Sequence, residues 1–512
     1  MKNNKITTED LAKKVAELEL ENKNLHTKIK WLEEKNAELL RKLFGVKSER
    51  DKDNKINEAE ELKDSEDPAA GDDEGPGGDE EQEDDAEKKS KKRGGRRPIP
   101  KNLMRCIEVN DLEDRSCGCG SELNFIGDQI SEKLAVIPAK FYVQQTILKK
   151  YSCPCCEQIV TPEMVPTILP RTNATPSLLA MITVAKYGNA LPLYRQEEIF
   201  SRLGVNLSRQ TMARWMIGCS AQLHPITTLL KEIAFSRNYL QMDETTLQVL
   251  DEPGRPATSK SYMWVTSSPQ DNIYLYHYAP TRSGEVPTQL LEGYRGLLQV
   301  DGYDGYNQAV VAYELTRLGC WMHARRVFFE ASKSKQSKKI GDYGIKQIKK
   351  LYKIEERIQG EAPDRRLSQR LQESLPIALA LKDWCEKERP RVTPSSYGGK
   401  AINYLLNEWQ YLQRCFEHGN VSIDNGNTER KIRSYAIGRN NWLFADTVSG
   451  AQASATLYSL LVTAVANDYN PETYFEKLFT MLPLAKTEQD FLDLLPLKEI
   501  PPINLGPPLN LT

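Results

Sequence analysis

The order of strands and helices predicted after residue 237 constrains the fold more than any other feature of the sequence. Runs rich in apolar, aromatic and β-branched residues predict strands at 239–250, 261–268, 272–280, 297–300 and 315–323. Helical patterns are found at 283–293, 304–313 and 324–334. Three strands with short connections, followed by alternating helices and strands, favour a layered α/β domain built on one sheet.

This order matches the ribonuclease-H-like fold, in which the first strand lies at the centre of the sheet beside the fourth. An acid in the middle of the first strand and an acid at the end of the fourth would then be neighbours. Asp243, in YLQMDETT, and Asp301, in LLQVDGYDGY, occupy these two positions. A later helix begins in DNGNTERKIRS and carries Glu429. The sequence therefore predicts one acidic cluster drawn from three distant segments.

Clustered carboxylates repel one another, and a hard divalent cation removes that repulsion. Two Mg²⁺ ions held by Asp243, Asp301 and Glu429 would activate a water or a 3′-hydroxyl and stabilise the leaving oxygen during in-line displacement at phosphorus. Taken singly, each aspartate has a simpler explanation, because Asp301 and Gly302 suit a turn and Asp243 suits a helix cap or an edge strand. Their shared context favours the metal site.

Five of the ten cysteines lie within forty residues, in SCGCGSEL and YSCPCCEQIV, which is spacing typical of a metal site. Residues 103–170 alternate in strand fashion, and a hairpin would bring the two groups together. We expect Cys117, Cys119, Cys153 and Cys156 to hold a structural zinc ion. The first pair is C-x-C where C-x-x-C is usual, and reduced cysteines without a metal are the alternative.

Residues 177–236 have a helical pattern throughout, and 193–216 have the layout of a helix-turn-helix. One helix carries Ile199 and Phe200, Gly204 makes the turn, and Ser208 caps a second helix. The second helix would present its polar side chains to the DNA major groove. These side chains are Arg209, Gln210, Thr211 and Arg214. A helical hairpin without DNA-binding function is the alternative.

The first fifty residues carry leucine at every seventh position, from Leu11 to Leu39. This heptad, with Asn22 and Asn36 among the residues at its other apolar position, predicts a parallel dimeric coiled coil over residues 1–50. A single amphipathic helix that packs on its own protein is the alternative. Residues 51–97 contain almost no apolar side chains and are expected to be disordered.

The formal net charge of −2 hides a strong local asymmetry. Residues 58–87 carry a net charge of −15, and residues 88–97 carry +7. The remaining chain is modestly basic, which permits polyanion binding but does not establish it. The N-terminus lacks an apolar signal core, and no apolar run is long enough to span a bilayer. We therefore expect a soluble cytoplasmic protein without a membrane partner.

The chain resembles the DDE transposases of bacterial insertion sequences, and more narrowly the insertion-sequence sixty-six family. The segments that carry the resemblance include QMDETTLQV, LLQVDGYDGYN, CWMHARRVFFEA and DNGNTERKIRSYAIGRNNWLFADT. It covers nearly the whole chain apart from the acidic linker, and it strengthens the helix-turn-helix interpretation. It implies that the family's catalytic triad falls on Asp243, Asp301 and Glu429. The family's C-x-x-H element falls on Cys320 and His323, in either a structural or a catalytic role.

We therefore expect a multidomain α+β protein with a coiled coil, a zinc-binding β module, a helix-turn-helix region and a ribonuclease-H-like catalytic domain with a helical insertion. The expected segments are 1–50, 51–97, 98–170, 171–236, 237–335, 336–423, 424–480 and a tail over 481–512.

The expected activity is cleavage of element ends and joining of the freed 3′-hydroxyl to target DNA. A metal-dependent nuclease and a dimeric DNA-binding regulator are the alternatives. The expected partners are double-stranded DNA, a second copy of the chain and accessory proteins of the same element. Basic residues near Glu429 suit phosphate contacts, although a solvated helix face is the alternative. These residues are Arg430, Lys431, Arg433 and Arg439.

Overall fold

The computed structural model describes residues 140–499 and 130–134, together with the isolated residues Asn22, Arg105, Ile107 and Val109. Among these, residues 148–499 belong to one compact unit, and those between 105 and 147 belong to another. The acidic and basic linker, Cys117 and Cys119 lie outside the described residues, as does the predicted coiled coil apart from Asn22. The interpretations of those segments remain predictions.

The described strands form a two-stranded hairpin and a six-stranded sheet. They are β1 (Tyr151–Ser152), β2 (Ile159–Val160), β3 (Tyr239–Asp251), β4 (Lys260–Ser268), β5 (Ile273–Ala279), β6 (Leu297–Gln299), β7 (Thr316–Leu318) and β8 (Ala445–Thr447). The order in the large sheet is β5-β4-β3-β6-β7, and β8 also pairs with β3. Strands β3, β4 and β5 are antiparallel, whereas β6 and β8 run parallel to β3 and β7 runs parallel to β6. The first strand of the predicted series therefore lies beside the fourth.

Helices precede, follow and interrupt this sheet. They are α1 (Pro176–Tyr187), α2 (Leu193–Arg202), α3 (Arg209–Gln222), α4 (His224–Phe235), α5 (Glu285–Leu290), α6 (Tyr306–Ala312), α7 (Trp321–Ser332), α8 (Lys338–Arg357), α9 (Pro363–Gln369), α10 (Leu375–Glu388), α11 (Tyr397–Asn407), α12 (Trp409–Arg414), α13 (Gly426–Trp442), α14 (Val448–Ala466), α15 (Pro471–Met481) and α16 (Glu488–Leu492). A π-helical segment, Arg370–Ser374, joins α9 to α10.

Helix α14 covers the edge of the sheet at β5. The Ser459 hydroxyl accepts a hydrogen bond of 2.7 Å from the backbone N–H of Tyr276, and the Thr463 hydroxyl accepts one of 3.0 Å from that of Tyr274. These bonds satisfy edge donors that would otherwise be open to another strand. Of the described helices, α14 is the one that is long and apolar enough to cross a membrane, and 67% of it is buried inside the protein. Its apolar composition matches its place in the core.

The helical segment from α8 to α12 shares a hydrophobic core with α7. Helix α8 approaches α7 closely because two glycines face it. A Cβ on Gly344 would lie 2.2 Å from the ring of Phe328, and one on Gly341 would lie 2.2 Å from the backbone nitrogen of Ser332. Only glycine permits this spacing. The close packing brings α8 against the part of α7 that contributes to the site described below.

The strand predicted at 315–323 is wrong in its second half. Strand β7 ends at Leu318, and α7 begins at Trp321, so His323 is helical. The backbone explains the change, because the N–H groups of Gly319 and Trp321 donate to the carbonyls of Tyr411 and Ile423 rather than to a neighbouring strand. An apolar run that leads into a buried helix resembles a strand in sequence.

The strand pattern predicted over 103–170 is also wrong for much of its described part. Residues 140–150 and 161–170 form no strand, and β1 and β2 are two residues long. Apolar side chains such as those of Tyr142, Val143 and Ile147 are exposed. Alternation predicts a strand only where one face is buried, and these side chains lack such cover in the described part of the chain.

Candidate active site

Asp243 lies within β3, and Asp301 follows the end of β6, the parallel strand beside it. The pairing of β3 with β6 places Gln241 opposite Gln299, and each aspartate comes two residues after its glutamine. The backbone N–H of Val300 still donates to the Leu318 carbonyl at 3.2 Å, so the chain keeps its strand direction up to Asp301. Because side chains alternate between faces with a period of two, each aspartate shares a face with the glutamine before it.

The two glutamines tie the sheet to the segment that leads into α13. The Gln241 amide donates to Gln299 Oε1 at 2.8 Å and to the Asp424 carbonyl at 3.0 Å. The Gln299 amide donates to the Ser422 carbonyl at 3.1 Å. The Thr428 hydroxyl donates to Gln241 Oε1 at 2.7 Å. These bonds hold the start of α13, and with it Glu429, against the strands that carry the aspartates.

A second set of bonds anchors the same helix start from α7 and α8. The buried Cys320 thiol donates to Asn425 Oδ1 at 3.0 Å, and Asn425 is the residue before α13. The Tyr352 hydroxyl, on α8, donates to Asp424 Oδ2 at 2.5 Å. Asp424 Oδ1 accepts from the backbone N–H of Gly426 at 2.9 Å. The bond from Cys320 favours the structural role over the catalytic one.

The electrostatics at Asp243 indicate that the three predicted acids are close together. Burial raises the pKa of Asp243 well above its usual value, and the charges of Glu244, Glu429 and Asp301 raise it further. Each of these neighbours acts through repulsion, so an added cation would lower the pKa of the group again. The charges of Asp301 and Glu429 therefore act on Asp243, although the three residues are separated by many positions in the chain.

Glu244 is a fourth acid in this region, but its carboxylate is already satisfied. It forms an ion pair with Arg282 and accepts a hydrogen bond from the Tyr306 hydroxyl. Its side chain is only 3% exposed, and burial raises its pKa although both partners oppose that shift. The cation of Arg282 lies 3.9 Å from the centre of the Tyr303 ring. Glu244 is therefore held as part of the wall of the site.

Glu429 is only half satisfied. Its Oε1 atom is paired with the guanidinium of Arg326, on α7. Its Oε2 atom and Nδ1 of His323 are buried and have no hydrogen-bond partner among the residues that the structure describes. Burial lowers the pKa of His323, and the positive charge of Arg326 lowers it further. A buried carboxylate oxygen without a donor is costly, and a cation or a donated proton would satisfy it.

The donor set fits a hard divalent cation. No group of three or more His, Cys, Asp or Glu side chains is close enough to hold one ion in the described part of the chain. Mg²⁺ does not require such a group, because it keeps several waters and takes one or two carboxylates together with substrate phosphates. The repelling carboxylates around Asp243 and the unpartnered Oε2 of Glu429 supply donors of that kind.

The predicted helix-turn-helix has the expected local geometry in α2 and α3. Gly204 has φ of +81°, in the left-handed region, and lies between the helices. The Ser208 hydroxyl accepts from the backbone N–H of Thr211 at 3.2 Å and caps α3. Arg209, Gln210 and Arg214 are exposed, and Thr211 is half-buried. These side chains are accessible to a ligand.

The four basic residues predicted around Glu429 divide between two sides of α13. Arg430 and Arg433 line a groove that also contains Glu429. Lys431 lies 5.7 Å above the centre of the Tyr274 ring. Arg439 donates to the Thr245 hydroxyl at 3.1 Å. Lys431 and Arg439 thus contact the sheet, which leaves Arg430 and Arg433 as the better placed pair for a ligand at Glu429.

The hairpin of β1 and β2 presents the second cysteine group. The N–H of Cys153 donates to the Gln158 carbonyl, and the N–H of Glu157 donates to the Cys153 carbonyl, both at 2.9 Å. Hydrogen bonds from the backbone of Cys156 and then of Cys155 lower the pKa of the Cys153 thiol. A thiolate stabilised in a tight turn is the form that binds zinc. Cys155 and Cys156 are exposed and free.

Sequence reasoning missed Gln241, Gln299, Arg282 and Arg326. A signal for the glutamines was present, since Q-x-D occurs in both QMDETT and LLQVDGY. Two adjacent strands with the same triplet suggest a shared role for its members. The pairing of Arg326 with Glu429 had no such signal, because the two residues are 103 positions apart.

Comparison with protein families finds three matches along the chain. Residues 171–453 match the model of the Transposase IS66 family. Residues 114–157 match a zinc-finger binding domain of transposase IS66, and residues 31–107 match a family described as Transposase C of IS166 homeodomain.

Similar curated proteins come from Sinorhizobium fredii. The uncharacterized protein y4hP is 30% identical over 403 residues, which cover 74% of this chain and 72% of the relative. The uncharacterized protein y4qI is 32% identical over 404 residues, which cover 76% of this chain and 74% of the relative. The similarity therefore extends over most of the length of each protein.

Proposed function

Because the chain belongs to the IS66 family of transposases, we propose that it cuts DNA at the ends of an insertion element and joins the freed 3′-hydroxyl to target DNA. The observation that carries this proposal is the raised pKa of Asp243, which is caused first by burial and then by the charges of Glu244, Glu429 and Asp301, and which supports a site shared by Asp243, Asp301 and Glu429. A protein that only binds DNA has no use for repelling carboxylates beside a polyanion.

The strand order supports a ribonuclease-H-like catalytic domain. In that fold the first three strands are antiparallel, and the fourth and fifth run parallel to the first on its other side. The order β5-β4-β3-β6-β7 and the pairing directions have this arrangement. The helical segment from α8 to α12 then stands as an insertion before the helix that carries Glu429.

Asp243, Asp301 and Glu429 would hold two Mg²⁺ ions. When bound, these ions would activate a water or a 3′-hydroxyl and stabilise the charge on the leaving oxygen. The chain itself contributes position and charge. Gln241 and Gln299 fix the strand ends relative to α13, which positions the carboxylates before the reaction begins.

DNA contacts are assigned to two surfaces. Helix α3 would enter the major groove with Arg209, Gln210, Thr211 and Arg214, while Arg430 and Arg433 would contact phosphates near Glu429. Lys431 and Arg439 serve mainly to attach α13 to the sheet.

A structural zinc ion completes the cofactor set. The match to a zinc-finger domain and the lowered pKa of Cys153 support zinc binding by Cys153 and Cys156. Cys117 and Cys119 remain the predicted partners. We place the protein in the cytoplasm, on the nucleoid when it is bound to DNA, as a dimer or higher oligomer that works with accessory proteins of the same element.

The test is cleavage of a DNA that carries both element ends, with Mg²⁺ present. Wild-type protein should release the ends, while Asp301→Asn should reduce the rate on the order of 10³-fold, by analogy with loss of transition-state charge stabilisation. End binding by Asp301→Asn should stay near the wild-type level. Cleavage by this variant at the wild-type rate would remove Asp301 from the catalytic site and contradict the proposal.

A further inference from the structure

A cationic groove lies beside Glu429, between α7, α8 and the start of α13. Its free volume is about 160 Å³. Five of its lining residues are cationic, namely Arg325, Arg326, Lys349, Arg430 and Arg433. The first and last of these residues are more than a hundred positions apart in the sequence. Lys349 lies on α8, which contributes no residue to the triad.

The lining of this groove contains more cationic than anionic side chains. Two carboxylates, Asp424 and Glu429, face the five cations. Asp424 is engaged by the Tyr352 hydroxyl and the backbone N–H of Gly426. Lys349 and Arg433 are exposed and make no hydrogen bond or ion pair with the described part of the chain.

The excess positive charge calls for an anionic ligand with several charges in a row, which is the character of a nucleic-acid backbone. Met322 and Phe329 add apolar surface to the same wall, which suits a sugar or the face of an unpaired base. One DNA strand with unpaired bases therefore matches the groove in charge and surface.

Arg326 connects this groove to the triad. Its guanidinium pairs with Oε1 of Glu429, while its side chain remains 48% exposed. An ion that used both oxygens of Glu429 would compete with this cation for the same carboxylate. Phosphates in the groove would offer Arg326 an alternative partner that is also anionic and better solvated.

We propose that the groove binds the phosphodiester backbone of one DNA strand, and that the phosphates draw Arg326 away from Glu429 and free this carboxylate for a metal ion. The inference rests on the proposed function and gives DNA a second role in addition to that of substrate, because DNA binding then makes Glu429 available to the metal ion. By linkage, DNA must tighten metal binding by the same factor by which metal tightens DNA binding.

A test of the coupling uses the full-length protein, Mn²⁺ as the metal, and a mixed-sequence duplex with a single-stranded overhang. Free Mn²⁺ is measured by electron paramagnetic resonance with and without DNA. For wild-type protein, DNA should tighten Mn²⁺ binding on the order of tenfold. For Arg326→Gln, Mn²⁺ should already bind tightly without DNA, and DNA should add little. Arg326→Lys retains a cation at this position and should retain the coupling.

The outcomes separate this inference from the proposed function. Asp301→Asn should lose the bound Mn²⁺. If it binds Mn²⁺ as wild type does, the ions do not occupy the triad and both proposals fail. If Asp301→Asn loses the ion but Arg326→Gln shows wild-type affinity and coupling, only the role of Arg326 is overturned. Arg326 is partly exposed, and a thermal melt checks that the glutamine variant remains folded.

The groove itself is tested by the salt dependence of DNA binding. The double variant Lys349→Gln with Arg433→Gln removes two exposed cations, so the slope of log affinity against log salt should fall by about 2. Lys350→Gln is the matched control, since Lys350 is exposed on the same helix and does not line the groove. An unchanged slope in the double variant, or an equal change in the control, would overturn the assignment of the groove to DNA.

Discussion

At the scale of single residues, Asp243 is held in surroundings that disfavour its charged form. Its raised pKa means that the folded protein binds a proton there more tightly than the unfolded chain does. The protonated carboxyl of Asp243 contributes to the free energy of unfolding below the usual aspartate pKa. This contribution is lost as the pH rises through the higher pKa that Asp243 has in the folded protein. Without a divalent cation, the wild-type protein should therefore lose stability as the pH rises above the usual aspartate pKa.

Asp243→Asn should remove this cost. In EDTA at pH 8 the variant should melt a few degrees above wild type, the scale of shift that about 1 kcal/mol produces. The difference should shrink at pH 4 and also on addition of Mg²⁺ to the wild type. Calorimetry at the two pH values measures it, and a variant that melts below wild type at pH 8 would contradict the assigned repulsion.

Gln299 tests whether the position of α13 matters for the reaction. Gln299→Met keeps a side chain of similar length but loses the bonds to Ser422 and Gln241. Cleavage should fall on the order of 10²-fold, the effect of a small misplacement of catalytic groups, while the far-ultraviolet spectrum stays unchanged. Gln248→Met is the control, because Gln248 is exposed on the neighbouring strand β3 and, among the described residues, its side-chain amide donates to the Ala257 carbonyl, away from α13. Equal activities for the two variants would refute the positioning role.

Residue-level prediction worked where a residue type contradicted its surroundings. Asp243 and Asp301 were identifiable because a carboxylate rarely follows buried apolar strand residues without a reason. Gln241 and Gln299 were harder to recognise, since a polar residue within a strand usually belongs to the face that is exposed to solvent. Arg326 was beyond reach, because its role depends on a partner that only the tertiary structure supplies.

At the scale of elements, the sequence predicted the succession of strands and helices from β3 to α7 correctly. Each strand there has one buried face or two, and this produces a clear hydrophobic pattern. The prediction failed at 315–323 because Gly319 and Trp321 bond to a segment a hundred residues later. It failed over 140–150 because the apolar residues there have the sequence pattern of a strand although their side chains are exposed.

The hairpin of β1 and β2 gives a prediction for this scale. Cys153→Ser removes a thiolate that the turn stabilises, so the protein should lose its zinc, measured by elemental analysis. Melting of the catalytic domain should change little, because the triad residues lie outside the hairpin. Cys219→Ser, at a buried free cysteine in α3, is the control and should keep its zinc. Zinc retained by Cys153→Ser would exclude Cys153 as a ligand.

At the scale of the whole molecule, two element ends would be handled together in the proposed reaction, which favours two copies of the chain. The heptads of residues 1–50 are the predicted source of the dimer. A peptide of these residues should be dimeric by analytical ultracentrifugation. Replacing Leu25 and Leu32 by glutamate would bury charge at the seam and should give monomers. Thr27→Glu adds a charge away from the seam, and a monomer from this control would show that the seam is misassigned.

The joining reaction separates a transposase from a nuclease, because a nuclease cuts DNA without forming a new bond to a target strand. A precleaved element end with a free 3′-hydroxyl is incubated with plasmid target and Mg²⁺, and covalently joined products are resolved on a denaturing gel. Wild-type protein should form joined products, and Glu429→Gln should form none while still binding the end. Cutting without any joining by the wild type, or joining by Glu429→Gln at the wild-type rate, would contradict the account.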